Sequence, residues 1–189
     1  NLFDKLKPNT NIITGDGTAA VITFKAARLK RNQRLFTNKG CASMGYDLPA
    51  TIGAYFADNK KDLICITGDG SLMMNLQELQ TISGYKIPVK IFILNNEGYH
   101  SIRQTQHNYF QGREIGCGKS SGLTFPSFKN IANAFNFKYF QIKNIKNCDI
   151  NINKIMNYKK PLICEVNIDK NQLFEPRIVS YKDKNGKLK

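Results

Sequence analysis

Two histidines, fourteen acidic residues against twenty-eight basic ones and five unpatterned cysteines leave this chain of 189 residues poorly equipped for several common kinds of site. Cys41, Cys65, Cys117, Cys148 and Cys164 are odd in number, show no C-x-x-C spacing and have no evident histidine partner. That argues against a zinc centre or a disulfide framework and for reduced thiols. Cys65 and Cys164 stand inside apolar runs, where a free cysteine acts as a small hydrophobe. No apolar run is long enough to span a bilayer and no signal-peptide pattern opens the chain, so a soluble cytoplasmic protein without a membrane partner is expected. The net charge of +14 invites nucleic acid as a partner, but the basic residues are scattered, mostly lysines, and form no arginine-rich block. They read as solvated faces whose positive field modestly favours an anionic ligand.

What is present is alternation. The chain is 41% hydrophobic, enough for one substantial core, and shows no internal repeat or low-complexity linker. Apolar periodicity predicts strands near 11–14, 34–37, 62–67, 88–94, 137–142 and 161–167, with helices over 18–28, 47–58, 74–84, 127–135 and 150–158. Such βαβ alternation predicts an α/β fold: a doubly wound, mostly parallel sheet with helices on both faces, spanning residues 1–169. Residues 170–189 are charged, carry Pro176 and a turn at Asn185-Gly186, and are expected to leave the core as a tail.

Two of the strands end in loops whose residue types belong together. Gly68-Asp69-Gly70-Ser71 follows Leu63-Ile64-Cys65-Ile66-Thr67, and Asn95-Asn96-Glu97-Gly98 follows Val89-Lys90-Ile91-Phe92-Ile93-Leu94. In an open α/β sheet, ligands bind beyond the carboxyl ends of the strands. Mg²⁺ prefers oxygen ligands in a near-octahedral array, with a few protein groups completed by water and phosphate oxygens. Asp69 offers the charge, Asn96 an amide oxygen, and the backbone near Gly98 a carbonyl. Gly68 and Gly70 permit a tight turn that lets backbone N–H groups approach an anion, and Ser71 opens a helix. The combination predicts a magnesium diphosphate site.

The spacing from Asp69 to Asn96 resembles the GDG…NN signature of the thiamine diphosphate-dependent enzymes, acetolactate synthase-like branch. The resemblance implies that Asp69, Asn96 and the main chain of Gly98 bind Mg²⁺, and that Gly68, Gly70, Ser71, Tyr99 and His100 adjoin the cofactor, thiamine diphosphate. Gly40-Cys41-Ala42-Ser43-Met44-Gly45-Tyr46-Asp47-Leu48-Pro49-Ala50 resembles a second stretch of the family. There Met44 would wedge between the two cofactor rings, a place suited to an unbranched thioether, while backbone groups of Ala42 and Met44 would meet the pyrimidine edge.

Gly15-Asp16-Gly17-Thr18-Ala19-Ala20 after Ile12-Ile13-Thr14 also reads as a dinucleotide fingerprint. A nucleotide ribose wants an acid about 20 residues on, yet residues 28–39 hold none and the next acid is Asp47. Within the family the same turn touches the diphosphate, which gives Gly17, Thr18 and Ala19 a backbone role.

The segment from Tyr99 to Leu123 follows the metal-binding strand and is expected to choose the substrate. Acetolactate synthases proper carry a tryptophan between two glutamines there; this chain has Gln104-Thr105-Gln106 and no tryptophan at all. Cofactor chemistry is untouched by that departure, but the acetolactate synthase substrate preference is put in doubt. His100 and His107 are acid–base candidates because imidazole titrates near neutrality, and Arg103 is a candidate for a substrate carboxylate. In the family a glutamate from a separate pyrimidine-binding domain, usually on a partner subunit, activates the cofactor. No such domain is found here, and the chain begins at Asn1, so an excised C-terminal domain, inactive alone, is expected.

The complete enzyme is expected to act on 2-oxo acids by decarboxylation or carboligation, as a homodimer or homotetramer. A non-catalytic module of the same fold and a basic nucleic-acid-binding domain are the other classes the sequence admits.

Overall fold

The computed structural model describes residues 2–58, 62–175 and 184–185. Pro176 and Gly186, on which part of the tail expectation rests, lie outside them. Six strands form one sheet: β1 (Thr10–Thr14), β2 (Arg34–Phe36), β3 (Asp62–Gly68), β4 (Val89–Asn95), β5 (Lys138–Ile142) and β6 (Leu162–Asn167). Their order is β2-β1-β3-β4-β6-β5 and every pairing is parallel. The helices are α1 (Leu2–Lys5), α2 (Thr18–Ala26), α3 (Asp47–Ala57), α4 (Asp69–Met74), α5 (Glu78–Gly84), α6 (His100–Tyr109), α7 (Phe128–Ala134) and α8 (Cys148–Asn157).

The two-residue period of a strand decides which side chain meets which layer. Ile13, Cys65, Ile91, Ile93 and Ile163 face one way and pack with Leu48 of α3, Leu72 of α4, Leu79 and Ile82 of α5 and Ile131 of α7. Ile12, Ile64, Ile66, Phe92, Leu94 and Cys164 face the other way, against Phe3 of α1, Ala19 of α2 and Ile152 and Ile155 of α8. A strand covered on both faces must be apolar throughout, which is why β3 and β4 read as continuous runs. Each fully buried Ile or Leu side chain contributes about 1.5–3 kcal/mol by leaving water.

Register places the tips of β1, β3 and β4 together, with Thr14 beside Ile66 and Gly68 beside Leu94. A polar tie fixes the tip of β4 laterally. Asn95 Nδ2 donates to Glu165 Oε1 at 2.7 Å, and the Tyr139 hydroxyl donates to Glu165 Oε2 at 2.5 Å, joining β4, β6 and β5.

Three local differences from the sequence expectation matter for the site. The helix expected over 74–84 starts only at Glu78, as α5, and is preceded by the separate α4, which the chain leaves at Asn75, whose side chain turns back to donate to the Gly45 carbonyl at 2.8 Å. The polar stretch after β4 contains α6, whose buried residues are His100 and Arg103. Finally, the first residues beyond 169 stay on the body: Lys170 accepts hydrogen bonds from α6, and the Phe174 ring lies 4.7 Å from that of His100.

Candidate functional site

The strand tips open onto a cleft of about 220 Å³. Gly68 and Asp69 form its floor at the end of β3, Asn96 and Gly98 one wall beyond β4, Gly17 and Thr18 the wall beyond β1. Met44, Tyr99 and His100 also line it.

Asp69 is only 2% exposed, and its carboxylate gathers the turn around itself. Oδ1 accepts from Gly70 N at 2.7 Å, and Oδ2 accepts from Asn96 N at 3.1 Å and Gly98 N at 3.0 Å. The two loops singled out in the sequence are thus joined by direct hydrogen bonds. Burial pushes the Asp69 carboxyl up to about 6, against the pull of those N–H donors.

Asn96 has its side chain oriented by the opposite wall: Nδ2 donates to Thr18 Oγ1 at 3.1 Å. Its Oδ1 is buried and has no hydrogen-bond partner. A buried carbonyl oxygen without a donor is costly, and a cation beside the Asp69 carboxylate would satisfy it. The donor set fits Mg²⁺, a hard ion that takes carboxylate, amide and carbonyl oxygens. No group of three or more His, Cys, Asp or Glu among the described residues could hold a metal, so a cation here draws on Asn96, the Gly98 backbone and ligand oxygens.

Glycine is required at two points of this turn. A Cβ on Gly70 would collide with the Tyr99 ring, and one on Gly98, whose φ is +145°, with the Cys117 carbonyl. Gly98 pairs with Gly118 in an isolated antiparallel bridge, and Tyr99 N donates to Cys117 O at 2.9 Å. That contact brings the segment after β4 under the site.

Of the sequence candidates, Gly17, Thr18, Met44, Gly68, Asp69, Gly70, Ser71, Asn96, Gly98, Tyr99 and His100 line the cleft. Ala19 is buried in the core below it, and Ala42 is exposed on the preceding loop with its N–H given to the Asn38 carbonyl at 2.8 Å.

His100 lodges at the base of α6, Nδ1 at 3.0 Å from the Lys170 carbonyl and Nε2 buried without a partner. Since a carbonyl only accepts, Nδ1 carries the proton and Nε2 is the acceptor. Burial lowers its pKa, keeping the ring neutral. Arg103 is buried, and its N–H groups go to backbone carbonyls: Nη1 to Lys170 at 2.9 Å, Nη2 to Glu97 at 3.2 Å and Cys117 at 3.3 Å. The donors offered in sequence to a substrate carboxylate are turned to the loop. His107 is exposed and pairs with Glu114 at 3.1 Å.

Sequence reasoning missed Asp16, Ser101 and Ile102, which also line the cleft, and Asp47 behind it. Asp47 is fully buried, accepting from Thr67 Oγ1 at 2.7 Å, Ser71 Oγ at 2.8 Å and Leu48 N at 2.9 Å. Burial raises its pKa while these donors oppose the shift. The signal was visible: Asp47 is the only acid between Asp16 and Asp58 and sits inside an apolar string.

Residues 12–166 match the family model described as "Thiamine pyrophosphate enzyme, C-terminal TPP binding domain". The acetolactate synthase large subunit of Porphyra purpurea is 34% identical over 148 residues, covering 78% of this chain and 25% of that protein. That of Pyropia yezoensis is 33% identical over 175 residues, 93% of this chain and 29% of the relative. Acetolactate synthase isozyme 1 large subunit of Escherichia coli (strain K12) is 31% identical over 173 residues, 90% and 30%. The chain therefore spans between a quarter and a third of the length of these relatives.

Proposed function

The chain belongs to the C-terminal TPP-binding domains of the thiamine pyrophosphate enzymes, and on that footing we propose that its cleft holds Mg²⁺ and the diphosphate end of thiamine diphosphate within an enzyme acting on 2-oxo acids. The observation that carries the reading is Asn96 Oδ1, buried and unpaired in a residue that lines the cleft with Asp69 and whose backbone N–H donates to the Asp69 carboxylate. Asp69, Asn96 and the Gly98 carbonyl would hold the cation, and the cation the diphosphate. Gly17 and Thr18 form the opposing wall, and Met44, which lines the same cleft, would meet the rings. When bound, the cofactor supplies the electron sink for breaking or making the bond beside the 2-oxo acid carbonyl.

The protein's own part is to bind, orient and hold protons. Three backbone N–H groups orient the Asp69 carboxylate, and Thr18 aims the Asn96 amide. We read His100, neutral and lining the cleft, as the candidate to take a proton there, and Arg103 as a clamp on the loop beneath. Decarboxylation or carboligation, a pyrimidine-binding domain contributed by a partner subunit and a dimeric or tetrameric enzyme are what the family resemblance implies, and they belong to this proposal. So does a cytoplasmic location without nucleic-acid partners; no helix among the described residues is long and apolar enough to cross a membrane.

Calorimetric titration with thiamine diphosphate and Mg²⁺ tests the site. Binding is expected to fall at least about 10-fold in Asp69→Ala and in Asn96→Ala. Undiminished binding by Asp69→Ala overturns the assignment.

A further inference from the structure

Met44 reaches the cleft from a loop and is 36% exposed, so packing does not fix its side chain. What fixes it is the backbone beside it. Gly45 N–H donates to Ser71 Oγ at 2.8 Å, and the Gly45 carbonyl accepts from Asn75 Nδ2 at 2.8 Å. Its φ is +82°, and a Cβ there would press on Met74 and Asn75. The residue next to Met44 is thus gripped at both its polar groups and confined to a conformation that favours glycine.

The grip on the N–H side depends on Asp47. A serine hydroxyl has one proton; Ser71 gives it to Asp47 Oδ2 at 2.8 Å, leaving its lone pairs toward Gly45. Thr67 Oγ1 donates to the same oxygen and Leu48 N to the other. Each of these partners is a donor, so the pocket asks for an acceptor-only side chain, which a carboxylate is and an amide is not. The room is exact on the far side as well, since a Cβ on Gly15 would run into Asp47 Oδ2. The network ends on the cleft: Ser71 lines it, and Gly45 carries Met44 into it.

We propose that Asp47 and Asn75 are positioning residues for Met44: through Ser71 and directly, they clamp Gly45 and thereby set the contact that distinguishes a ring-bearing diphosphate from inorganic diphosphate. The identity of the ring-bearing ligand rests on the function proposed above; the clamp itself rests on the hydrogen bonds. Neither residue lines the cleft, so both act through Gly45.

The 189-residue chain, labelled with ¹³C at its four methionine methyls, is titrated with Mg²⁺ and inorganic diphosphate and, separately, with Mg²⁺ and thiamine diphosphate. In the wild type the Met44 methyl resonance is expected to move with thiamine diphosphate only. In Asp47→Asn, affinity for Mg²⁺-diphosphate is expected to persist, the preference for thiamine diphosphate to drop about 10-fold, and the Gly45 amide to exchange faster while β4 amides keep their protection. Asn75→Ala, which leaves the Asp47 pocket intact, should lower the preference in the same way if Asp47→Asn fails to fold. A variant that keeps the full preference and a protected Gly45 amide overturns the proposal, as does an equal loss for both ligands, which would mark a purely structural role. Should the wild type bind neither ligand, the cofactor assignment fails, and Gly45 exchange in the two variants alone decides whether the clamp exists.

Discussion

At Asp69, burial outweighs three backbone N–H donors, and the sign of the result can be read in a titration. The carboxyl goes from 3.8 to about 6 on folding, a bias toward the neutral form of roughly 3 kcal/mol. A group raised in this way favours the fold most when protonated, and that contribution is lost as pH rises through the folded value. The cation-free chain is therefore expected to lose stability relative to Asp69→Asn between pH 3.8 and about 6, measured by urea unfolding across that window. Mg²⁺ with diphosphate should erase the loss, and at pH 6 its binding should release about half a proton, read by calorimetry in buffers of different ionisation enthalpy. A pH-independent difference between wild type and variant would mean that the Asp69 carboxyl is not raised on folding, and a loss that Mg²⁺ with diphosphate leaves unchanged would remove Asp69 from the cation site. Asp69 and Asn96 were legible in sequence because each follows an apolar strand and has one chemical purpose there. Asp47 was not assigned, because its partners Thr67 and Ser71 lie 20 and 24 residues away and only the packing of α3 against β3 and α4 brings them together.

Helix α6 is an element without the signal that usually announces one. Its sequence, HSIRQTQHNY, has no apolar stripe, and it is held through Arg103, whose N–H groups reach carbonyls on both sides of the Gly98 loop and on the segment after β6. Periodicity finds helices that bury hydrocarbon; this one buries a guanidinium, so it stayed invisible while β3 and β4 were plain. Arg103→Met should leave those buried carbonyls short of donors and cost roughly 2–4 kcal/mol in chemical unfolding, with weaker Mg²⁺ binding as a consequence. If stability holds and only the KM of a 2-oxo acid rises in the assembled enzyme, Arg103 meets substrate instead. The α4–α5 break was hidden for a related reason: Asn75 leaves the helix to bind Gly45, a long-range contact no local propensity contains. Glycines separate loop from helix in the same spirit. Gly98→Ala should destabilise, since its Cβ strikes the Cys117 carbonyl at positive φ, whereas Gly53→Ala on the open face of α3 should stabilise by about 0.5–1 kcal/mol.

For the molecule as a whole, alternating apolar strands and helices made the doubly wound sheet readable, because a parallel sheet with both faces covered admits few arrangements of six strands. What lies beyond the sheet edge was not readable to the same degree. Asp16 and Asp69 are the acids that line the described cleft, and no glutamate lines it. The proposed function calls for an activating glutamate from a separate domain, and the chain spans only 25% to 30% of the relatives compared above. Binding and turnover should therefore separate. With saturating Mg²⁺ and thiamine diphosphate, this 189-residue chain is expected to bind cofactor yet release no CO₂ from pyruvate above the cofactor-only background, whereas mixing it with a relative's pyrimidine-binding domain that docks on it should restore release. Turnover by the chain alone, followed by ¹³C-pyruvate NMR, would mean that its own residues activate the cofactor. His100, which lines the cleft, would then be the first group to replace, and its pKa, lowered by burial, predicts a rate that does not fall as pH rises from 6.5 toward 8.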